Sequence, residues 1–260
     1  MRPKVYLVGA GPGAPDLLTL RAARLLVAAD IVFFDALVHP DTLALAEGAT
    51  KVPVGKRRGR PSPGQEVINR ALVRAASRHR TVVRLKGGDP MIFGRAHEEI
   101  AALERAGVEW EVVPGVTAAL AASAELGVSL TRRGLSRSVT FVTPAVGTEE
   151  RRTDWASAVV AADTAAIYMG AGEAERIAAA LLARGLSHAT PVVMIVNASL
   201  PDQAAHWGTL ASLPRLAARR GEAPAIILMG RVLDEAIQDI AQDREGAVAL
   251  LRLIGPLVPA

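Results

Sequence analysis

An apolar strand that breaks off into paired glycines constrains this chain more than any other feature. Residues 82–95 read VVRLKGGDPMIFGR, in which Val82, Val83 and Leu85 supply a buried strand and Gly87-Gly88-Asp89-Pro90 ends it. Adjacent glycines reach backbone angles closed to other residues and carry no Cβ, so a ligand can lie directly on their peptide planes. Pro90 stiffens the exit. In an open α/β sheet such a loop sits at the carboxyl end of its strand, where ligands of these folds collect. A plain strand-to-helix turn would use the same residues.

Strand and helix patterns alternate on both sides of this stretch. Strand Lys4 to Val8 leads to Gly9-Ala10-Gly11-Pro12-Gly13-Ala14, then a helix from about Leu17 to Ala29, then strand Ile31 to Phe34. A short helix near 41–46, a strand near 51–54, a helix over 65–78 and the central strand follow. Next come a helix over 95–106 carrying Glu98 and Glu99, a strand over 108–113 and an alanine-rich helix opened by Val116-Thr117-Ala118-Ala119. Gly127 to Arg137 has no sustained period and reads as a boundary. Beyond it strands are expected over 138–142, 165–169, 192–196, 205–208 and 225–229, with helices over 155–162 and 173–184. The pattern predicts two α/β domains, 1–134 and 135–245, and a tail over 246–260.

With 260 residues and a hydrophobic half, the chain can fill two cores. It has no cysteine, which excludes disulfides, thiolate metal sites and cysteine nucleophiles. The first apolar run meets glycine too soon for a signal-peptide core, and no uninterrupted apolar stretch has membrane-spanning length. The expectation is a cytoplasmic protein with no membrane partner. Its net charge is +4, and only Lys4, Lys51, Lys56 and Lys86 of the 30 basic residues are lysine. Arginine grips carboxylates and phosphates with a planar fork, so an acidic ligand is plausible. Nucleic acid is not expected, because three tryptophans, two tyrosines and four phenylalanines offer no stacking platform among the basic residues.

Two features point to specific chemistry. Gly9 to Ala14 satisfies a dinucleotide fingerprint, but Pro12 removes an N–H from the turn and Pro15-Asp16 delays the helix. Asp35, at the end of the second strand, has three readings: the acid that binds a nicotinamide ribose, a general base, or a turn cap. By the residues alone the turn is favoured.

Six blocks carry a resemblance: GAGPGAPDLLTLRA at 9–22, VGKR at 54–57, QEVIN at 65–69, VVRLKGGDPMIFGR at 82–95, VVPGVTAA at 112–119 and SVTFVTP at 138–144. In these the chain resembles the tetrapyrrole methylase family of S-adenosylmethionine-dependent enzymes, over nearly its whole length. The resemblance implies a two-domain α/β fold, each domain a mixed sheet flanked by helices, with the active site in the inter-domain cleft. It implies two carbon methylations of uroporphyrinogen III, through precorrin-1 to precorrin-2, in siroheme- or cobalamin-type tetrapyrrole biosynthesis. A diverged member acting on a later corrin precursor or another acceptor is the alternative, and a nicotinamide-dependent dehydrogenase using Gly9 to Ala14 the distant one.

By family position the methyl donor falls to Pro12, Gly87, Gly88, Asp89, Ile92, Thr117, Ala118, Met169 and Ala198. Asp35 would accept a proton and Lys56 donate one, while Arg95 and Glu98 would contact the tetrapyrrole. No metal is implied, and a homodimer is. Ala36 stands where relatives usually carry arginine, Pro144-Ala145 replaces Gly-His, and His97 enters the FGRAHEE run. Arg57, Arg58, Arg60, Arg132 and Arg133 are candidates for substitute carboxylate contacts.

Overall fold

In the computed structural model of the protein, which describes residues 3–55, 64–145 and 153–237, the chain forms two compact units. The first comprises Met1–Ala122 with Asn197–Asp202, and the second Ser123–Val196 with Gln203–Ala260. By contacts the division falls at 122/123, upstream of the aperiodic 127–137 stretch, and a segment of the later sequence belongs to the first unit. The expected tail over 246–260 and the Lys56 to Arg60 loop lie outside the described residues.

Five strands form the sheet of the first unit: β1 (Lys4–Gly9), β2 (Ile31–Phe34), β3 (Thr50–Pro53), β4 (Thr81–Lys86) and β5 (Glu109–Val113). Their order is β3-β2-β4-β1-β5 and every pairing is parallel. Parallel neighbours need long crossovers, which α1 (Leu20–Val27), α2 (Pro40–Ala44), α3 (Gln65–Ala76) and α4 (Ala96–Arg105) supply. A further helix, α5 (Ala118–Glu125), follows β5. The first helix begins later than expected. Pro15–Leu17 makes a separate 3-10 turn, and α1 starts at Leu20, where the Thr19 hydroxyl caps it by accepting from the Ala22 N–H at 3.2 Å.

Alternation along the strands sends side chains to two cores. Val5, Leu7, Ile31, Phe33 and Val82 pack with Ile68 and Leu72 of α3 and Leu103 of α4, while Val8, Val32, Val83 and Leu85 pack with Ala22 and Leu26 of α1. Thus α1 and α4 cover opposite faces. The chain leaves β1 toward one edge of the sheet and leaves the neighbouring β4 toward the other. In open α/β sheets, ligands collect at the carboxyl ends of strands whose crossovers diverge in this way.

The second unit holds β6 (Val139–Val142), β7 (Thr164–Ile167), β8 (Pro191–Val196), β9 (Ala204–Thr209) and β10 (Ala225–Gly230), in the order β6-β7-β10-β8-β9. Only β6 and β7 are parallel, so this sheet is mixed. On one face α6 (Trp155–Ala161), α7 (Ala174–Leu182) and α8 (Leu213–Ala218) pack on Ile167, Val192, Met194, Ile227 and Met229. The sequence pattern missed α8, a six-residue helix too short to display a period. Among the described residues no helix is long and apolar enough to cross a membrane.

One device recurs in both sheets. Asp30, just before β2, accepts from the N–H groups of Arg80 and Thr81 at the start of β4, each at 2.8 Å. Asp163, just before β7, likewise accepts from Arg137 and Ser138 at the start of β6. Each carboxylate aligns the first residues of a parallel neighbour. The Thr81 N–H, with help from Arg80 and against burial, holds the Asp30 carboxyl below its ordinary range. A depressed acid contributes stability that is complete above its unfolded pKa, about 4, and is lost as pH falls through the lowered folded value. Asp30→Asn should therefore melt below the wild type at neutral pH, and the gap should close as the pH is brought below about 4. A gap of constant size in melts across this range would contradict the assignment.

Candidate functional site

Three loops meet at the carboxyl ends of β1, β4 and β5. Ala10 donates its N–H to the Lys86 carbonyl at 2.7 Å, Gly11 donates to Gly88 at 3.2 Å, and Gly88 returns a bond to Gly11 at 2.7 Å. The approach is possible only without side chains. A Cβ on Gly9 would lie 2.6 Å from the Gly115 backbone and 2.7 Å from the Gly88 oxygen, and a Cβ on Gly115 would lie 2.4 Å from that same oxygen. Gly88 is different. It adopts φ +67°, and the nearest atom to a Cβ placed there is the Thr117 Cα at 3.9 Å. The space on its side-chain side is open rather than packed, and it is the left-handed angle that calls for glycine there.

Asp89 ties this platform together. One of its oxygens accepts from the Met91 N–H at 2.8 Å and the other from the Gly115 N–H at 3.0 Å. The carboxylate read from the sequence as a ligand contact thus also joins the β4 loop to the β5 loop. Thr117 is buried at the start of α5 beside the half-exposed Ala118, and Pro12 and Ile92 are half-buried in their loops. Phe93 and Arg95 hold left-handed backbone angles of 51° and 54° as the loop turns into α4. Conformations of this kind persist where the surroundings impose them.

The segment Asn197–Asp202 brings Ala198 to the first unit. Its Ser199 hydroxyl accepts from the Ala14 N–H at 3.1 Å, and Leu200 packs against Gly13 so closely that a Cβ there would lie 2.9 Å from it. Sequence reasoning placed Ala198 by family position only. Met169 belongs to the second unit, just past β7, with its side chain exposed and φ at 53°.

Beside the platform runs a chain of charges. Asp35 follows β2, and its Oδ1 accepts from Arg84 Nη2 at 2.6 Å. Arg84 also donates from Nε to Glu99 Oε1 at 2.9 Å and from Nη1 to the Leu85 carbonyl at 3.1 Å. Glu99 takes Lys86 Nζ on its other oxygen at 3.0 Å, and Gln65 of α3 donates to it at 3.3 Å. Arg84, Lys86 and Glu99 are buried, whereas Asp35 is partly open. Burial works against the Arg84 charge, yet Asp35 and Glu99 together raise its pKa. Burial, and then Arg84, lower that of Lys86. The side chain of Asp35 is therefore engaged by a guanidinium rather than by the turn that follows it. This network escaped the sequence reading, although its signal was present: two basic residues two apart on one face of an otherwise apolar strand, followed by Glu98-Glu99 on the next helix.

Arg95 and Glu98 form a two-pronged pair at 2.6 and 2.9 Å on the exposed start of α4. Arg95 already grips a carboxylate here, and the Arg95 hydrogen bond leads in lowering the Glu98 pKa. Lys56, Arg57, Arg58 and Arg60 lie outside the described residues. Arg132 pairs with Glu235 at 2.7 Å. No group of three His, Cys, Asp or Glu among the described residues is arranged to hold a metal ion. The loop after β1 is pinned to Gly88, and only the 3-10 turn Pro15–Leu17 lies between it and α1 at Leu20, so no α-helix N-terminus stands directly behind Gly9 to Ala14 as a pyrophosphate site needs.

Comparison with known proteins gives a consistent set of likenesses. The model of the tetrapyrrole (corrin/porphyrin) methylases matches residues 4–214. A uroporphyrinogen-III C-methyltransferase of Pseudomonas aeruginosa is 45% identical over 238 residues, which are 91% of this chain and 97% of that protein. Siroheme synthase 1 of Yersinia enterocolitica is 45% identical over 89% of this chain but only 49% of its own length. The chain thus spans about half the length of the siroheme synthases it matches. A crystal structure of uroporphyrin-III C-methyl transferase from Thermus thermophilus, complexed with S-adenyl homocysteine, superposes with a TM-score of 0.77 at 41% identity, covering 89% of this chain and 99% of that one.

Because Asp89 fastens two loops, Asp89→Ala should loosen the platform itself. Losing two hydrogen bonds to a charged acceptor is expected to destabilise the first unit by about 1–3 kcal/mol and to weaken S-adenosylhomocysteine binding as well. Chemical denaturation and calorimetry on the same variant check both halves.

Proposed function

We propose that this chain, which belongs to the tetrapyrrole (corrin/porphyrin) methylase family, transfers methyl groups from S-adenosylmethionine to carbons of uroporphyrinogen III, twice, through precorrin-1 to precorrin-2. The observation that carries the reading is near-complete overlap with the Pseudomonas aeruginosa uroporphyrinogen-III C-methyltransferase at 45% identity. The loop platform supports it: the space beside Gly88 is open and Thr117 and Ala118 bring small side chains, and by family position we assign Pro12, Gly87, Asp89, Ile92 and Ala198 with them to adenosine and the amino-acid end of the donor. We assign Met169 to the same task from its family position, and the 1–134 and 135–245 division to the two halves of the machinery.

The donor supplies an electrophilic methyl group on a sulfonium that carries its own leaving group. What the protein contributes is alignment and proton removal. A pyrrole carbon gives its electron pair to the methyl carbon, the sulfur–methyl pair stays on sulfur, and the cationic product must then lose a proton. Asp35 is assigned that proton. Its Oδ1 is occupied by Arg84, and among the described residues its Oδ2 has no partner. Arg95 stays protonated and is assigned to a substrate carboxylate, for which Glu98 now stands in. Lys56 is assigned as the proton donor by its family position.

Anaerobic incubation with uroporphyrinogen III and S-adenosylmethionine should give a tetrapyrrole heavier by two methyl groups. Unchanged mass would overturn the acceptor. In the same assay Asp35→Asn should lower turnover by about a hundredfold to ten-thousandfold while keeping S-adenosylhomocysteine affinity.

The reading includes a cytoplasmic homodimer with two-fold symmetry. Leu20 and Val27, seven residues apart on one face of α1, leave 76% and 69% of their area exposed, which a partner of the same kind would cover. Sedimentation at micromolar concentration should return twice the chain mass, and a monomer mass would refute the dimer.

A further inference from the structure

We propose that Arg84 is a positioning residue for the reaction, acting through Asp35 and itself held by Glu99. The inference rests on Asp35 being the proton acceptor. Period-two alternation puts Ile31, Phe33 and Asp35 on the same sheet face as Val82, Arg84 and Lys86. That face is apolar at the amino ends of the strands and charged at their carboxyl ends, where it meets Glu99 of α4 and Gln65 of α3. Four ionisable groups joined in series span from beneath the helices to the open end of the sheet: Lys86, Glu99, Arg84 and Asp35.

Stability does not account for this arrangement. Taking charges out of water costs about as much as their pairing returns, and well-packed apolar residues of similar volume usually serve as well or better. The pair of Lys86 and Glu99 would be balanced without Arg84. Adding Arg84 puts a second cation in the interior, and its matching charge is the carboxylate at the open end of the series. The guanidinium is planar and is gripped at three points, by Glu99 Oε1, the Leu85 carbonyl and Asp35 Oδ1. A planar fork fixed twice from behind directs its third bond, so it sets the plane and reach of the Asp35 carboxylate. One oxygen of Asp35 is thereby tied to the sheet, while the side chain stays partly open to solvent. Small errors in the placement of a base are expensive, because proton transfer demands hydrogen-bond geometry.

The experiment is a double-mutant cycle on methyl transfer with Asp35→Asn and Arg84→Met. Arg84→Met alone should lower kcat by about tenfold or more, with KM for the methyl donor and affinity for S-adenosylhomocysteine changed by less than about twofold. In the Asp35→Asn background the same substitution should change kcat by less than about twofold, since the group it positions has already lost its basicity. Arg84→Lys keeps the charge but supplies one ammonium for two carboxylates, and it should recover part of the turnover; it also serves as the second arm of the cycle if Arg84→Met does not fold. Equal loss of kcat in both backgrounds, for whichever Arg84 variant is folded, overturns the positioning role and leaves Asp35 as the acceptor. Wild-type turnover by Asp35→Asn overturns the acceptor reading, and this inference with it.

Discussion

The contact of three backbones at Gly9, Gly88 and Gly115 is the constraint from which the rest of the first unit follows. The carboxyl ends of β1, β4 and β5 converge there within distances that exclude even one methyl group. Glycine weakens a strand or loop in isolation, because it has the most conformational freedom to lose. Here that cost is offset by reciprocal hydrogen bonds between Gly11 and Gly88 and by the Asp89 carboxylate, which locks the third loop to the second. The result is a floor of peptide groups at the point where the crossovers from β1 and β4 diverge to opposite faces of the sheet. A small ligand can be bound on such a floor by main-chain groups and shape, with few charged contacts. This suits a methyl donor whose own charge must be kept for the reaction.

Beside that floor the sheet spends part of its interior on charge. Arg84 and Lys86 alternate with Val83 and Leu85, so an apolar strand places two cations on a single face. The Glu99 carboxylate, buried under α4, balances them from within, and Asp35 balances them from the open end. Each partner in this series makes its neighbour affordable, because an isolated buried ion is far more costly than a paired one. The arrangement couples the packing of α3 and α4 to the orientation of one carboxylate at the candidate site.

The two sheets answer the same problem in different ways. The first is parallel throughout and buried on both faces, with apolar runs rather than clean alternation. The second mixes one parallel pair with three antiparallel ones, and its connections are correspondingly varied. Both use an aspartate ahead of a strand to align the start of its parallel neighbour. A parallel pair has no hairpin turn to set its register, and a carboxylate accepting two successive N–H groups does that work locally.

Several features were legible in the sequence because they are written in short-range patterns. The ten expected strands are present, with ends shifted by a residue or two, since alternation and punctuation by glycine and proline report directly on local backbone preference. The paired glycines, the break after Lys86 and the end-of-strand position of Asp35 were equally plain. Other features required the fold. Helix α8 carries too few residues to show a period, and α1 begins at Leu20 because Pro15 to Leu17 close a 3-10 turn first. Asn197–Asp202 joins the first unit by packing against Gly13 and Ala14, a contact between positions far apart in the chain. The hold of Asp89 on the Gly115 N–H and the ion pair of Asp35 with Arg84 are equally invisible along the chain. The sequence by itself determined the strands, the longer helices and the glycine breaks between them, because these depend on neighbours a few residues away. Only the tertiary structure decided which charges face one another, because hydrogen-bond partners across strands and helices are chosen by distance in space.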